Sequence, residues 1–76
     1  MTLQELPVGE EAVVSDVEGQ RGVRRRLLEM GLLPGTTVRV VRRAPLGDPL
    51  ELQLRGYSLS IRGEDAKGVS LTKGAG

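Results

Sequence analysis

The sequence predicts a mainly β domain, a small barrel of about five short antiparallel strands with one short α-helix inserted after the first strand. Three observations carry that expectation. Residues 36–43, 50–55 and 57–62 each alternate apolar and polar side chains with the period of a strand. The segments between them are rich in Gly, Pro and Asp, as short connections require. Only residues 23–31 carry a helical period.

Taken in order, Leu3, Leu6 and Val8 surround Pro7 and Gly9, so the first nine residues read as a lead-in with one helical turn or tight bend closing one end of the barrel. Residues 12–17 are β-branched and partly alternating. The three-residue step from Val14 to Val17 breaks the two-residue period, as a bulge or a strand end would. Gly19 and Gly22 read as a flexible lead into the helix. Neither belongs to a phosphate loop, because no Gly-Lys-Ser/Thr follows.

Stepping about 100° per residue from Val23 brings Leu27 and Met30 beside it, which makes these three the core-facing stripe. Arg24 and Leu28 fall together on a flank, and Arg25 and Glu29 point away. Gly31 sits where a helix ends on a left-handed residue, with Leu32 placed to pack back on Leu27 in a Schellman-type cap. Pro34 and Gly35 fit the two central positions of a type II turn. One helix is thereby delivered to one strand at a fixed angle.

In the strand that follows, Val38 and Val40 are expected to be buried and Thr37 and Arg39 exposed. Residues 44–49 form a shaped loop, after which Leu50, Leu52 and Leu54 point inward. Arg55-Gly56 makes a tight turn to a strand with Tyr57, Leu59 and Ile61 on one face. Residues 63–68 suit a single helical turn, residues 69–72 a last strand that pairs with the start of the sheet, and residues 73–76 a frayed tail. A sheet with one apolar face must curl to cover it, and an SH3-like barrel fits this set of elements best.

At 76 residues the chain is expected to be one domain, residues 1–76. Without Cys or His it has no disulfide framework, no thiolate or imidazole metal ligand and neither a Cys nucleophile nor a His general base, which excludes most small-enzyme chemistry, and no cofactor is expected. The acidic neighbours Glu10-Glu11 and Glu64-Asp65 read as solvated turns, since each pair needs a further ligand to hold a transition metal against water. No run approaches the roughly 18 apolar residues of a membrane span, and the first residues lack a signal pattern, so a cytoplasmic protein is expected. Net charge is +1, but residues 21–43 hold seven arginines and one acid. A single Tyr, with no Trp or Phe, leaves no aromatic groove for a Pro-rich peptide and no stacking platform for bases.

Residues 26–35, a basic strand, Ala44-Pro45-Leu46-Gly47-Asp48-Pro49, and then residues 54–62 with their Arg-Gly hairpin follow one another in an order and spacing that resembles the ferrous iron transport protein A (FeoA) family. The resemblance covers nearly the whole chain. It implies a small cytosolic SH3-like accessory to a membrane ferrous iron transporter (FeoB type) with a cytosolic G-protein domain, itself neither channel nor enzyme. Related domains are fused to metal-dependent repressors of the diphtheria toxin repressor type, but no helix-turn-helix stands in this sequence.

Three functional classes follow. The first is a protein-interaction module, in which Leu28, Leu33, Pro45 and Leu46 form one exposed apolar patch with Arg24 and Arg25 on its rim. The alternative for Leu33 and Leu46 is that they close the barrel ends. The second is a regulator of the transporter's GTPase, with Arg24, Arg25 or Arg26 as an arginine finger, against which Arg25 and Glu29 stand at the spacing of a surface ion pair. The third, ranked last, is nucleic-acid binding through Arg21, Arg24, Arg25, Arg39, Arg42 and Arg43. Homo-oligomerisation is left open.

Overall fold

The computed structural model describes residues 1–72, so the tail expected at residues 73–76 lies outside the described residues. The chain begins with a 3₁₀ turn, Leu3–Glu5. It then runs β1 (Glu11–Val17), α1 (Val23–Glu29), β2 (Thr37–Arg43), β3 (Leu50–Gln53), β4 (Ser58–Ile61), α2 (Gly63–Ala66) and β5 (Val69–Thr72). All five strands form one antiparallel sheet in the order β4-β3-β2-β1-β5. This is the mainly β, SH3-like architecture the sequence predicts, with the helix after the first strand. The curl stops short of a closed barrel, because β4 and β5 share no ladder and α2 links them instead.

The lead-in is a fixed piece of structure. Glu5 accepts from the Thr2 N–H at 2.7 Å, and Leu3 and Leu6 are buried. Arg43 reaches back from β2, where one Nη2 donates to the carbonyls of Gln4 at 2.7 Å and Leu6 at 2.9 Å. In β1, Ala12 and Val14 point inward, the register with β5 shifts between Val14 and Asp16, and Val17 returns to the core. The broken period is a bulge.

The end of α1 follows the expected geometry. Gly31 has φ +108°, its N–H donates to the Leu28 carbonyl at 3.0 Å, and the Leu32 N–H donates to the Leu27 carbonyl at 3.1 Å, the paired bonds of a Schellman cap. The Thr36 N–H then donates to the Leu33 carbonyl at 3.0 Å across Pro34-Gly35. The Gly35 N–H also donates to the Val14 carbonyl at 2.7 Å, which pins the turn to β1.

Three expectations need correction. Leu28, placed on an exposed flank, is half-buried and packs against the core, because the curled sheet contacts a wider arc of α1 than the Val23–Leu27–Met30 stripe. Within that stripe Leu27 is fully buried, while Val23 and Met30 are only partly covered. Gly19 is a close approach more than a flexible joint, since a Cβ there would lie 2.8 Å from the Arg24 nitrogen and 2.9 Å from Val23 Cγ1. Tyr57, assigned to the inner face, precedes β4 and is 44% exposed, while Leu59 and Ile61 behind it do turn inward.

The core unites Leu3 and Leu6, Leu27 and Leu32, and the inward residues of all five strands. Among the described residues no polar or charged side chain is buried, so any chemistry or recognition belongs to the surface.

Candidate functional site

Apart from Met1 and Val8 in the lead-in, the large apolar residues left on the surface fall into two groups at opposite ends of β2. Before it lies Leu33, 50% exposed, in the turn after α1; beyond it lies Leu46, 96% exposed, with exposed Pro45 beside it. The seven residues of β2 stand between them, which at about 3.3 Å per residue separates the groups by on the order of 20 Å. The single patch expected from Leu28, Leu33, Pro45 and Leu46 is therefore not assembled. Neither Leu33 nor Leu46 closes a barrel end.

The group before β2 is joined by residues that the sequence reading left out. Leu33 and Pro34 share a shallow cleft of about 400 Å³ with Gly31, Leu54, Arg55 and Tyr57. Tyr57 is held in place: its hydroxyl donates to the Met30 carbonyl at 2.8 Å, the hairpin below it is closed by the Leu54 N–H donating to the Tyr57 carbonyl at 2.9 Å, and the ring lies over Gly31. Arg55 is the one ionised residue on this cleft, and among the described residues it has no ion-pair partner. An exposed Tyr and Arg on rigid turns are residue types that anchor protein interfaces, and Leu33 and Pro34 add apolar surface beside them. The available signal was that the chain's one aromatic follows Arg-Gly directly, and the alternation of the next strand masked it.

The loop after β2 is also shaped. The Gly47 N–H donates to the Ala44 carbonyl at 2.7 Å, the Ala44 N–H to the Pro49 carbonyl at 3.1 Å, and Asp48 accepts from the Gly63 N–H at 2.7 Å. This holds Leu46 out at the tip.

The helix arginines are mostly engaged. Arg24 Nε donates to the Val17 carbonyl at 2.9 Å, and Arg26 pairs with Asp65 of α2 at 3.1 Å. Arg25 meets Glu29 at 3.6 Å, with both side chains largely in solvent. Such an exposed pair contributes only about 0.3–0.5 kcal/mol. Of the carboxylates, Glu5 is held below the usual range by the hydrogen bond from the Thr2 backbone. Among the described residues no three acidic side chains lie close enough together to hold a metal ion, and no helix is long and apolar enough to cross a membrane.

Comparison with known proteins agrees with this architecture. The model of the FeoA domain matches residues 1–73. A Fe(2+) transport protein A/Fe(2+) transporter FeoB fusion protein of Porphyromonas gingivalis is 44% identical over 71 residues, which cover 93% of this chain but only 8% of that relative's length. The solution structure of the FeoA protein from Chlorobium tepidum is 42% identical with a TM-score of 0.91, covering all of this chain and 72% of that one. The crystal structure of Stenotrophomonas maltophilia FeoA, an SH3 domain protein complexed with zinc, is 37% identical with a TM-score of 0.84 over 95% of this chain and 89% of that one. A manganese-dependent transcriptional repressor shares the fold alone, with a TM-score of 0.85 at 12% identity. The match over nearly all of the chain, with identities above 40% to a curated relative and to a solved structure, makes this protein a member of the FeoA domain family.

Proposed function

We propose that this domain is an accessory protein-interaction module of bacterial ferrous iron uptake. It works in the cytoplasm, where it docks on the G-protein domain of a FeoB-type membrane transporter. The observation that supports this most directly is the Porphyromonas gingivalis relative, in which a segment 44% identical to this chain belongs to the same protein as FeoB. A covalent link raises the effective concentration of two surfaces that associate. The docking surface in this reading is the cleft of Leu33, Pro34, Leu54, Arg55 and Tyr57, with the Pro45-Leu46 loop as the competing surface. No catalytic step is assigned to the domain. A role for Arg25 as an arginine finger on the transporter's nucleotide is the second reading, which the free ends of its exposed guanidinium permit.

The test is retention of the transporter's purified cytosolic domain on the immobilised protein, with GDP, with a non-hydrolysable GTP analogue and without nucleotide. Retention in at least one nucleotide state is expected; retention in none overturns the reading.

A further inference from the structure

We propose that the free edge of β4 is a strand-addition site, taking an extended, acidic segment of a partner protein in the groove between β4 and α1. The register dictates which main-chain groups are on offer. The Leu54 N–H donates to the Tyr57 carbonyl at 2.9 Å, which makes these two the hydrogen-bonded pair closing a two-residue turn. Such pairs alternate along an antiparallel ladder. Leu52↔Leu59 and Leu50↔Ile61 are thus the next hydrogen-bonded pairs, and Gln53↔Ser58 and Glu51↔Ser60 lie between them. Leu59 and Ile61 direct their main-chain groups to β3, while Ser58 and Ser60 turn theirs away. Among the described residues β4 has no strand neighbour on that side, and nothing else bonds the main chain of either serine. The Arg62 N–H points the same way, but its carbonyl is already taken by the Ala66 N–H at 3.0 Å.

The opposite edge of the sheet is treated differently. There Thr2 bridges Ser70 and the Leu71 N–H donates to the Met1 carbonyl at 2.7 Å, so the chain covers β5 with its own first residues. A bare edge of four residues is short enough to resist aggregation. What makes β4 a site is the groove of about 570 Å³ beside it, lined by Val23, Leu27 and Met30 on the helix side and by Ser60, Ile61 and Arg62 on the strand side. Val23 and Met30 are only half-buried and leave apolar surface toward the groove. An added strand that alternates toward this wall finds apolar contacts there, and its main chain finds Ser58 and Ser60. Peptides bound between an edge strand and a helix use this division, with main-chain bonds for affinity and alternate side chains for specificity.

Charge selects the occupant. Arg55 precedes β4 and Arg62 follows it, both exposed and without an ion pair among the described residues. Of the acids nearby, Asp65 is committed to Arg26 at 3.1 Å, Asp48 accepts from the Gly63 N–H at 2.7 Å, Glu51 opposite Ser60 meets Arg42 at 4.0 Å, and Glu64 lies on the rim of the groove. The guanidinium groups of Arg55 and Arg62 flank β4 at its two ends, so a strand with carboxylates at its ends is favoured and one with cations there is repelled. This holds whether or not the partner is a transporter.

Amide NMR on the ¹⁵N-labelled protein tests it, with acetyl-Asp-Thr-Val-Thr-Val-Asp-amide as the probe and its counterpart carrying Lys for both Asp as the control. The acidic peptide is expected to shift the Ser58 and Ser60 amides and slow their hydrogen exchange, with little change at Leu59 and Ile61, whose N–H groups are already bonded. The Lys peptide should bind about tenfold more weakly. Ser60→Pro removes an N–H that β3 does not use, as an edge position tolerates, and should abolish binding, whereas Ser60→Ala should bind normally. Should Ser60→Pro fold poorly, the exchange pattern of the wild type decides alone. Unchanged Ser58 and Ser60 amides, or full binding by folded Ser60→Pro, overturns the proposal. So does protection of these amides that rises with protein concentration in the absence of peptide, which assigns the edge to a second copy of this chain.

Discussion

Tyr57 and Gly31 share one space. The Tyr57 hydroxyl donates to the Met30 carbonyl at 2.8 Å, and it does so where a Cβ on Gly31 would have to sit. The stop of α1 is thus specified twice: once locally, by a φ of +108° that favours glycine, and once from the β3–β4 hairpin, whose tyrosine has docked on the cap. This contact also sets the exposed face of the ring beside Leu33 and Pro34.

Gly31→Ala should therefore destabilise by more than the roughly 1–3 kcal/mol of a left-handed non-glycine residue alone. In a Tyr57→Ala background the same substitution should fall back to that backbone cost. Urea denaturation of the four proteins of this cycle measures the coupling, and equal costs in both backgrounds would show that the ring moves aside freely.

Leu27 and Leu28 are neighbours with different burial, the first fully enclosed and the second half-covered. Leu27→Ala should cost about 2–5 kcal/mol, as core truncations do. Leu28→Ala should cost about 1 kcal/mol, since half as much surface is lost to the core. Thermal melts that rank the two equally would show that the exposed side of α1 has been misassigned.

How far the fold was legible turns on the distance over which each feature is decided. The Schellman cap at Gly31, the type II turn at Pro34-Gly35 and the bulge after Val14 are written in a few adjacent residues, and each stands where the sequence places it. Tyr57 departs from the inward face because it stands one residue before the start of β4, where the strand alternation no longer holds. The joint patch of Leu28, Leu33, Pro45 and Leu46 failed for a topological reason: turns that flank one strand lie a strand's length apart. Close approaches such as Gly68 against the Glu18 carbonyl, and the reach of Arg43 to Gln4 and Leu6, depend on partners far away along the chain and leave no local signal.

Arg43 is expected to matter for stability more than for ligand binding. Its Nη2 satisfies two carbonyls of the lead-in from the end of a side chain one bond longer than that of lysine, so an ammonium falls short of both. Arg43→Lys should cost about 1 kcal/mol and Arg43→Ala about 2 kcal/mol. Hydrogen exchange at Glu5 and Leu6 should accelerate in both, and unchanged exchange would mean that the 3₁₀ turn holds itself.

Glu5 supplies a pH dependence of known sign. Its carboxyl is depressed by the bond from the Thr2 N–H, so the folded state favours the carboxylate. The stabilisation is present above the ordinary carboxylate range and is lost as pH falls through the depressed value. Glu5→Gln should lower the melting temperature slightly at pH 7 and match the wild type in strong acid. A gap between the two proteins that widens toward low pH would contradict this assignment.

The last prediction separates the two surfaces at the ends of β2. Leu33 and Leu46 are both exposed in turns, so Leu33→Glu and Leu46→Glu should each change stability by no more than about 0.5 kcal/mol. Only the cleft beside Leu33 combines a fixed aromatic with an unpaired arginine, and a charge placed there is left desolvated and unpaired in a complex. Leu33→Glu and Arg55→Glu should therefore weaken retention of the transporter's cytosolic domain at least as much as about a hundredfold loss of affinity, the scale of one hot-spot residue. Leu46→Glu should retain it fully. Arg25→Ala removes a solvated ion pair and should leave binding within about twofold, and it should leave GTP hydrolysis by the transporter domain unchanged. If Leu46→Glu is the variant that loses the partner, docking belongs to the loop after β2. If Arg25→Ala alone suppresses hydrolysis while binding persists, the helix supplies an arginine finger and the domain acts on the chemistry of its partner.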